Sequence, residues 1–224
     1  NGISDIKEIK AYSTNKINLY KKYQAHDTCF KILNSNIAYL YPGSIKQDYL
    51  PKIVPEILKS KGLIIDFRCY PSDFIVFSLS EYLLPDKTEF VKFSKGSINS
   101  PGLFEMTKCL EVGKKNPDYY KGKVIIIVNE TTQSSAEYHT LAFRTAPKAI
   151  VIGSTTAGAD GNVSPFNLPS GISTMISGIG VYYPDGKETQ RVGIIPDVIV
   201  KPTIDGIRKG KDELLEEAIK IIEK

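Results

Sequence analysis

Three short apolar runs alternate with helical patterns along the middle of the chain. The runs GLIIDFR (62–68), KVIIIVN (123–129) and KAIVIGS (148–154) are almost uninterrupted, as in strands that are covered on both faces. Between them, residues 134–146 carry apolar side chains on one helical face, and residues 74–84 stand where a crossover helix is expected. This alternation predicts an α/β fold, a mostly parallel sheet with covering helices.

The flanking segments are less regular. Residues 30–45 mix β-branched and aromatic side chains and predict a strand or hairpin, and residues 47–60 carry apolar positions at helical spacing. The glycine- and proline-bearing stretch 86–120 predicts a β-rich excursion, a hairpin or flap over one end of the sheet. Residues 1–29 are polar and weakly patterned, so we interpret them as an entry segment. An amphipathic helix is expected at 212–224, after several short strands.

Composition indicates one main domain. The 224 residues are 42% hydrophobic, and the net charge of +4 comes from basic and acidic residues spread along the chain, which argues against a nucleic-acid surface. The cysteines Cys29, Cys69 and Cys109 form no C-x-x-C pair, so neither a metal site nor a disulfide framework is expected. No apolar run is long enough to span a membrane, and the first ten residues lack the pattern of a signal peptide.

Candidate chemistry lies in the loops that follow the three buried strands. In open α/β sheets, ligands bind beyond the carboxyl ends of the strands, which are here followed by residues 67–73, 130–134 and 154–161. The second loop places Ser134 at a helix N-terminus, where free N–H groups favour developing negative charge. The N–H of Ser135 would suit the oxyanion of an acyl-transfer reaction.

Ser134 and Glu137 also have the S-x-x-E spacing of a capping box, in which each side chain accepts a hydrogen bond from a backbone N–H at the helix start. A capping role and a nucleophile role are compatible in one serine. The spacing alone therefore does not distinguish a well-capped helix from an active site.

The order of several motifs along the chain bears on the choice between a capped helix and an active site. The chain contains I-I-D-F-R-x-x-P, then V-N-x-x-x-x-S-x-x-E, V-I-G-x-T-x-x-G, Y-Y-P-D-G and G-I-x-P-D-V. Over residues 30–202, this order resembles the catalytic domain of the S41 peptidases, the C-terminal processing and tricorn-type serine proteases. The resemblance implies a ClpP/crotonase-like core, a catalytic domain over 30–224, a preceding PDZ-like domain whose tail would be 1–29, and export to the periplasm or cell envelope.

The same resemblance implies roles for individual residues. Ser134 matches the nucleophile, with Ser135 as its rival, and the Ser135 N–H matches one oxyanion donor. The second donor falls at Ser72 in the turn 70–73, where the family has Asn-Pro-Gly-Gly and this chain has Tyr-Pro-Ser-Asp. Without glycine, the close approach of this backbone to a substrate is harder to achieve.

The general base departs from the family pattern. Processing proteases use a Ser-Lys dyad, but Ala159 occupies the lysine position. Tricorn-type members use Ser-His-Glu, and Gln190 occupies the glutamate position with Glu188 two residues away. His139 lies five residues after Ser134, roughly 140° around the helix, so it should point away. His26 lies in the entry segment, and the economical interpretation is a base supplied from upstream.

The leading hypothesis is a serine peptidase that cleaves peptides or protein tails through an acyl-enzyme, without metal or organic cofactor. One alternative is an inactive homologue that binds peptides or apolar ligands, as in the retinoid-binding relatives of these proteases. A third, an acyl-CoA hydratase or isomerase on the same fold, lacks an evident nucleotide-phosphate site. The sequence does not indicate an oligomeric state.

Overall fold

The computed structural model describes Lys10, Tyr12 and residues 29–224. Apart from Lys10 and Tyr12, the residues 1–28 of the predicted entry segment, including His26, lie outside the described residues. The strands are β1 Phe30–Leu33, β2 Ile37–Leu40, β3 Gly62–Asp66, β4 Thr88–Gly96, β5 Phe104–Met106, β6 Leu110–Val112, β7 Lys123–Val128, β8 Ala149–Gly153, β9 Val163–Asn167, β10 Ser173–Ser177, β11 Val181–Tyr182 and β12 Val198–Ile199. The helices are α1 Leu50–Lys59, α2 Val76–Leu83, α3 Ser135–Phe143, α4 Ile204–Arg208 and α5 Glu213–Glu223.

The central sheet has six strands in the order β1-β2-β3-β7-β8-β12. β1 and β2 form an antiparallel hairpin, and every other neighbouring pair is parallel. All of β3 and all but the first residue of β7 are buried, because helices cover both faces of these strands. The predicted α/β fold with a mostly parallel sheet is confirmed.

Alternate side chains of the central strands supply two cores on opposite faces of the sheet. Leu63 and Ile65 of β3 belong to the core that also contains apolar residues of α1, α2 and α3. Ile64 belongs to the second core, with Leu214 and Ile222 of α5. Each fully buried aliphatic side chain of this kind contributes about 1.5–3 kcal/mol to folding. Within the described residues, no helix combines the length and apolar composition that would let it cross a bilayer.

The predicted excursion 86–120 forms a second, antiparallel sheet. Its order is β11-β4-β5, and β6 also pairs with β4. β9 and β10 form a separate two-stranded ribbon after β8. The second sheet contacts α3 through β4, and so it brings Phe93 to the end of the central sheet where α3 begins.

Candidate active site

Ser134 connects the buried strand β7 to helix α3 in an unusual backbone conformation. It is the N-cap residue of α3, and its φ of 52° and ψ of −121° lie outside the regions that residues with a side chain normally adopt. Such a conformation costs about 1–3 kcal/mol and persists where the surroundings impose it, often at functional sites. A strained serine on a sharp strand-to-helix turn is the arrangement that exposes a nucleophilic Oγ.

Thr132 holds the turn before Ser134 in place. Its buried hydroxyl donates to the Phe67 carbonyl over 2.9 Å and accepts from the Asn129 N–H over 3.0 Å. Phe67 directly follows β3 and Asn129 directly follows β7. One side chain therefore fixes the loop of Ser134 to the carboxyl ends of two neighbouring strands.

Glu137 does more than close the predicted capping box. Its carboxylate accepts from the Ser134 N–H over 3.1 Å, as the box requires. It also accepts from the N–H groups of Gly158 and Ala159, each over 2.9 Å, and from the hydroxyl of Thr156. This buried carboxylate therefore joins the turn of Ser134 to the loop after β8 with four donors. Hydrogen bonds to a charged group are the stronger kind, which helps to maintain the strain at Ser134.

His139 is buried away from Ser134, as its helical position predicts. The Ile75 N–H donates to Nε2 over 3.1 Å, so the proton is on Nδ1, which lies 2.6 Å from the Ser135 carbonyl oxygen and donates to it. Burial among Phe67, Phe74 and other rings lowers the pKa of His139 to about 4. The neutral imidazole thus links α3 to the start of α2 through two hydrogen bonds.

Ser72 lies in the loop after β3 and was expected to supply the second oxyanion donor, but its polar groups are already hydrogen-bonded. The Ser72 N–H donates to the Pro42 carbonyl over 3.0 Å, and the Ser72 hydroxyl donates to the Ile45 carbonyl over 2.6 Å. Ser72 therefore anchors the loop, and its N–H would have to change partner to serve as a donor. Arg68 also anchors this loop, because its guanidinium pairs with Asp66 and Asp212.

A cavity of about 350 Å³ opens beside Ser134 and Ser135. Its walls combine four aromatic rings with a small number of polar groups. The lining residues are Tyr70, Phe74, Phe93, Ser134, Ser135, Tyr138, Asp160, Gly161, Asn162 and Ile179. The Ser135 N–H makes no hydrogen bond within the described part of the chain, so it remains able to donate to an oxyanion at this cavity.

Asp160 is the carboxylate of this cavity, and sequence analysis did not single it out. Asp160 is only 7% exposed. Its Oδ1 accepts a hydrogen bond from the Gly161 N–H over 2.7 Å, whereas its Oδ2 has no hydrogen-bond partner among the described residues. Burial raises the pKa of the Asp160 carboxyl to about 7; the Gly161 hydrogen bond opposes this rise and the charge of Glu137 adds to it. Its place immediately after Ala159, the family's lysine position, was the available signal.

Gln190 and Glu188 are not among the lining residues of this cavity. The Gln190 amide donates to the carbonyls of Asp160 and Ile179 over 2.7 and 2.9 Å, so it holds two segments of the cavity wall together. Glu188 is exposed and pairs with Arg191 at 2.8 Å, beside a neighbouring cavity. Among the described residues, no group of three or more His, Cys, Asp and Glu side chains could hold a metal ion.

Comparison with known proteins places this site in a family. The family model of peptidase family S41 matches residues 36–200. No curated protein matches the chain. Among solved structures, a Parabacteroides merdae ATCC 43184 protein assigned as a peptidase has a TM-score of 0.75 and 24% identity, with 86% of this chain and 63% of that chain covered.

Two further structures share the fold at lower identity. The photosystem II D1 C-terminal processing protease has a TM-score of 0.56 and 15% identity, with 80% of this chain and 47% of that chain covered. The tricorn protease has a TM-score of 0.56 and 20% identity, with 84% and 18% covered. The chain thus spans less than two thirds of the length of each of these proteins. With the family model matching most of its length, the chain belongs to peptidase family S41.

Proposed function

We propose that this protein is a serine peptidase that cleaves peptides or protein tails through an acyl-enzyme at Ser134. The observation that carries the proposal is the strained conformation of Ser134 at the N-terminus of α3, beside a cavity. A ligand-binding homologue would gain nothing from this strain, which costs about 1–3 kcal/mol. The strain therefore favours the peptidase over the inactive alternative.

The chemistry follows from the positions of two neighbouring residues. Ser134 Oγ attacks the substrate carbonyl while its proton passes to a general base, and the Ser135 N–H donates to the oxyanion that forms. The base then returns the proton to the leaving amine as the carbon–nitrogen bond breaks. Water hydrolyses the resulting ester and regenerates the Ser134 hydroxyl. No step requires a metal or an organic cofactor.

We propose that the general base comes from upstream of this chain, as in a tricorn-type Ser-His arrangement. Of the residues that the structure describes, no histidine or lysine lines the cavity at Ser134. Both ring nitrogens of His139 are engaged by backbone groups, which leaves neither available to accept a proton from Ser134. Gln190 and Glu188 stay candidates for the group that orients the base; the wall position of Gln190 supports an indirect role for its side chain.

The second oxyanion donor is proposed to be Ser72, whose N–H would leave the Pro42 carbonyl when substrate binds. By the same family pattern, we propose export to the periplasm or cell envelope and a PDZ-like domain before residue 30. Both proposals concern the whole protein, because the relatives compared above are considerably longer than this chain.

The test is reaction with a fluorophosphonate, which labels activated serines by displacement of fluoride. The 224-residue chain and the longest natural form of the protein would be treated in parallel, and adducts located by peptide mass mapping. We expect labelling at Ser134 in the longer form and its loss in Ser134→Ala. The exposed Ser164 of β9 provides a matched control, because Ser164→Ala should retain full labelling.

Two results would overturn the proposed nucleophile or the peptidase function, and a third would overturn the proposed position of the base. An adduct that survives Ser134→Ala and disappears in Ser135→Ala would assign the nucleophile to Ser135. Absence of any adduct in both forms, with folded protein confirmed by circular dichroism, would favour the ligand-binding homologue. Labelling of Ser134 in the 224-residue chain, which lacks any upstream segment, would contradict a base that lies upstream of this chain.

A further inference from the structure

The cavity beside Ser134 has a lining with a single formal charge. Asp160 is acidic, and the other lining residues are aromatic, small or uncharged. Among the described lining residues there is no lysine, arginine or histidine to balance this charge. An acid in an otherwise uncharged, largely aromatic lining that also contains Ser134 is in the position of a group that selects the substrate side chain.

The unpaired oxygen of Asp160 is an exception within the structure. Buried side-chain oxygens normally have a hydrogen-bond partner, and one that lacks it requires an explanation. Oδ2 is buried without a partner, whereas Oδ1 accepts from the Gly161 N–H over 2.7 Å. The carboxylate therefore has an unused acceptor that a donor on a ligand would satisfy.

The electrostatic environment favours a cationic donor over a neutral one. Burial disfavours the charged form of Asp160, and the nearby Glu137 carboxylate adds repulsion. Glu137 is itself saturated with hydrogen bonds from four donors, so it does not compete for a ligand. A cation that enters this region would relieve the repulsion between the two acids.

The aromatic wall suits the same kind of ligand. The Tyr138 ring stacks with Phe74, at a centroid distance of 5.7 Å, and with Phe93, at 6.2 Å. Aromatic faces attract ammonium and guanidinium groups and also cover the methylene stems of lysine and arginine. The cavity thus offers apolar surface for the stem and an acid for the cationic group.

We propose that this cavity receives the lysine or arginine side chain of the substrate residue whose carbonyl Ser134 attacks, and that Asp160 Oδ2 accepts a hydrogen bond from its cationic group. The inference rests on the proposed function. A long side chain suits this arrangement, because lysine and arginine carry their charge at the end of a flexible stem and Asp160 is only 7% exposed.

Gln190 is a positioning residue for this specificity. Its amide ties the backbone of Asp160 to that of Ile179, across the cavity wall. Gly161 has a φ of 98°, and a side chain there would meet the Gln190 amide nitrogen at 2.6 Å. The position of the acid therefore depends on close packing of these three residues.

The test compares two covalent probes that differ in charge. Diphenyl phosphonates of lysine and norleucine have equal stems, and Ser134 Oγ attacks their phosphorus with loss of phenoxide. In the longest natural form of the protein at pH 8, we expect the lysine probe to label Ser134 faster by roughly ten- to a hundredfold. Asp160→Asn should reduce this ratio to about threefold or less, because the amide keeps the shape and loses the charge. Asp118→Asn, at an exposed position outside the cavity, should leave the ratio unchanged.

A small fluorophosphonate, which does not require the cavity, separates this inference from the proposed function. If it labels Ser134 while the norleucine probe reacts as fast as the lysine probe in the wild-type protein, the cationic specificity is wrong and the peptidase stands. If Asp160→Asn abolishes labelling by the small probe too, with an unchanged circular dichroism spectrum, Asp160 acts in the reaction itself and the specificity proposal is overturned. Failure of all probes in the wild-type protein overturns both.

Discussion

Two buried carboxylates near Ser134 have opposite environments. Glu137 accepts hydrogen bonds from three backbone N–H groups and one hydroxyl, whereas Asp160 accepts one and leaves Oδ2 without a partner. Both residues are less than a tenth exposed. The difference supports a structural role for Glu137 and the proposed ligand-binding role of Asp160. Burial of a charge is tolerated when donors satisfy it, and it is costly when they do not.

Removal of the Glu137 carboxylate, whose hydrogen bonds are satisfied, should have the largest effect on the free energy of unfolding. Glu137→Ala leaves the N–H groups of Ser134, Gly158 and Ala159 without their acceptor. An unsatisfied donor costs about 1–3 kcal/mol when buried, and these three N–H groups are partly buried, so we expect each to contribute near the lower end of that range and a loss of about 3–5 kcal/mol in the free energy of unfolding. Urea denaturation measures this loss. A change below about 1 kcal/mol would show that the network does not support the turn.

Removal of the Asp160 charge, which lacks a hydrogen-bond partner at Oδ2, should raise the free energy of unfolding instead of lowering it. The pKa of Asp160 rises from 3.8 in the unfolded chain to about 7 in the folded protein, so the contribution to stability is present below 3.8 and is lost as pH rises towards 7. At pH 8, Asp160→Asn should stabilise the protein by about 1–3 kcal/mol, and the gain should shrink by pH 5. Thermal melts at both pH values test it. Equal or lower stability of the variant at pH 8 would contradict an uncompensated charge.

His139 provides a third buried titratable group, with the opposite pH dependence. Burial lowers its pKa from 6.5 to about 4, so its contribution to stability is present above 6.5 and is lost as pH falls towards 4. At pH 5 this loss is about 2 kcal/mol relative to pH 7.5. Imidazole NMR signals, assigned by their absence in His139→Gln, should remain those of a neutral ring at pH 5. Protonation near pH 6.5 would contradict the buried tie to Ser135 and Ile75.

The exposed acid Glu188 should show the smallest effect. Its pair with Arg191 lies in solvent, with side chains 48% and 81% exposed, and such pairs contribute little. We expect Glu188→Gln to change the free energy of unfolding by less than about 0.5 kcal/mol in urea titrations. The same variant tests whether Glu188 orients the base. A tenfold fall in fluorophosphonate labelling without loss of stability would establish that role and place the residue at the site.

The strand-to-helix element at the centre of the site was predictable from local sequence. The apolar run of β7 and the S-x-x-E spacing of Ser134 and Glu137 each depend on residues close together in the chain. The motif order then indicated the family. The backbone strain at Ser134 was not predictable, because it arises from contacts such as that between Thr132 and the Phe67 carbonyl.

The contacts that distinguish the two carboxylates are non-local. Asp160 follows the family's lysine position, yet its missing partner is visible only once α3 and the second sheet enclose the cavity. His139 was correctly predicted to point away from Ser134, but its bond to Ile75 joins residues 64 positions apart. Ser72 was expected to present its N–H to the site, but its bond to the Pro42 carbonyl joins residues 30 positions apart and has no local sequence signal.

The most direct measurement of the central claim is the intact mass of the protein during turnover of a peptide ester. Ester substrates acylate faster than peptides, so the acyl-enzyme should accumulate and survive an acid quench. We predict that the longest natural form gains the mass of the acyl fragment, that peptide mapping locates it on Ser134, and that Ser134→Ala gains nothing. Hydrolysis of the ester without an adduct on Ser134 would contradict the account.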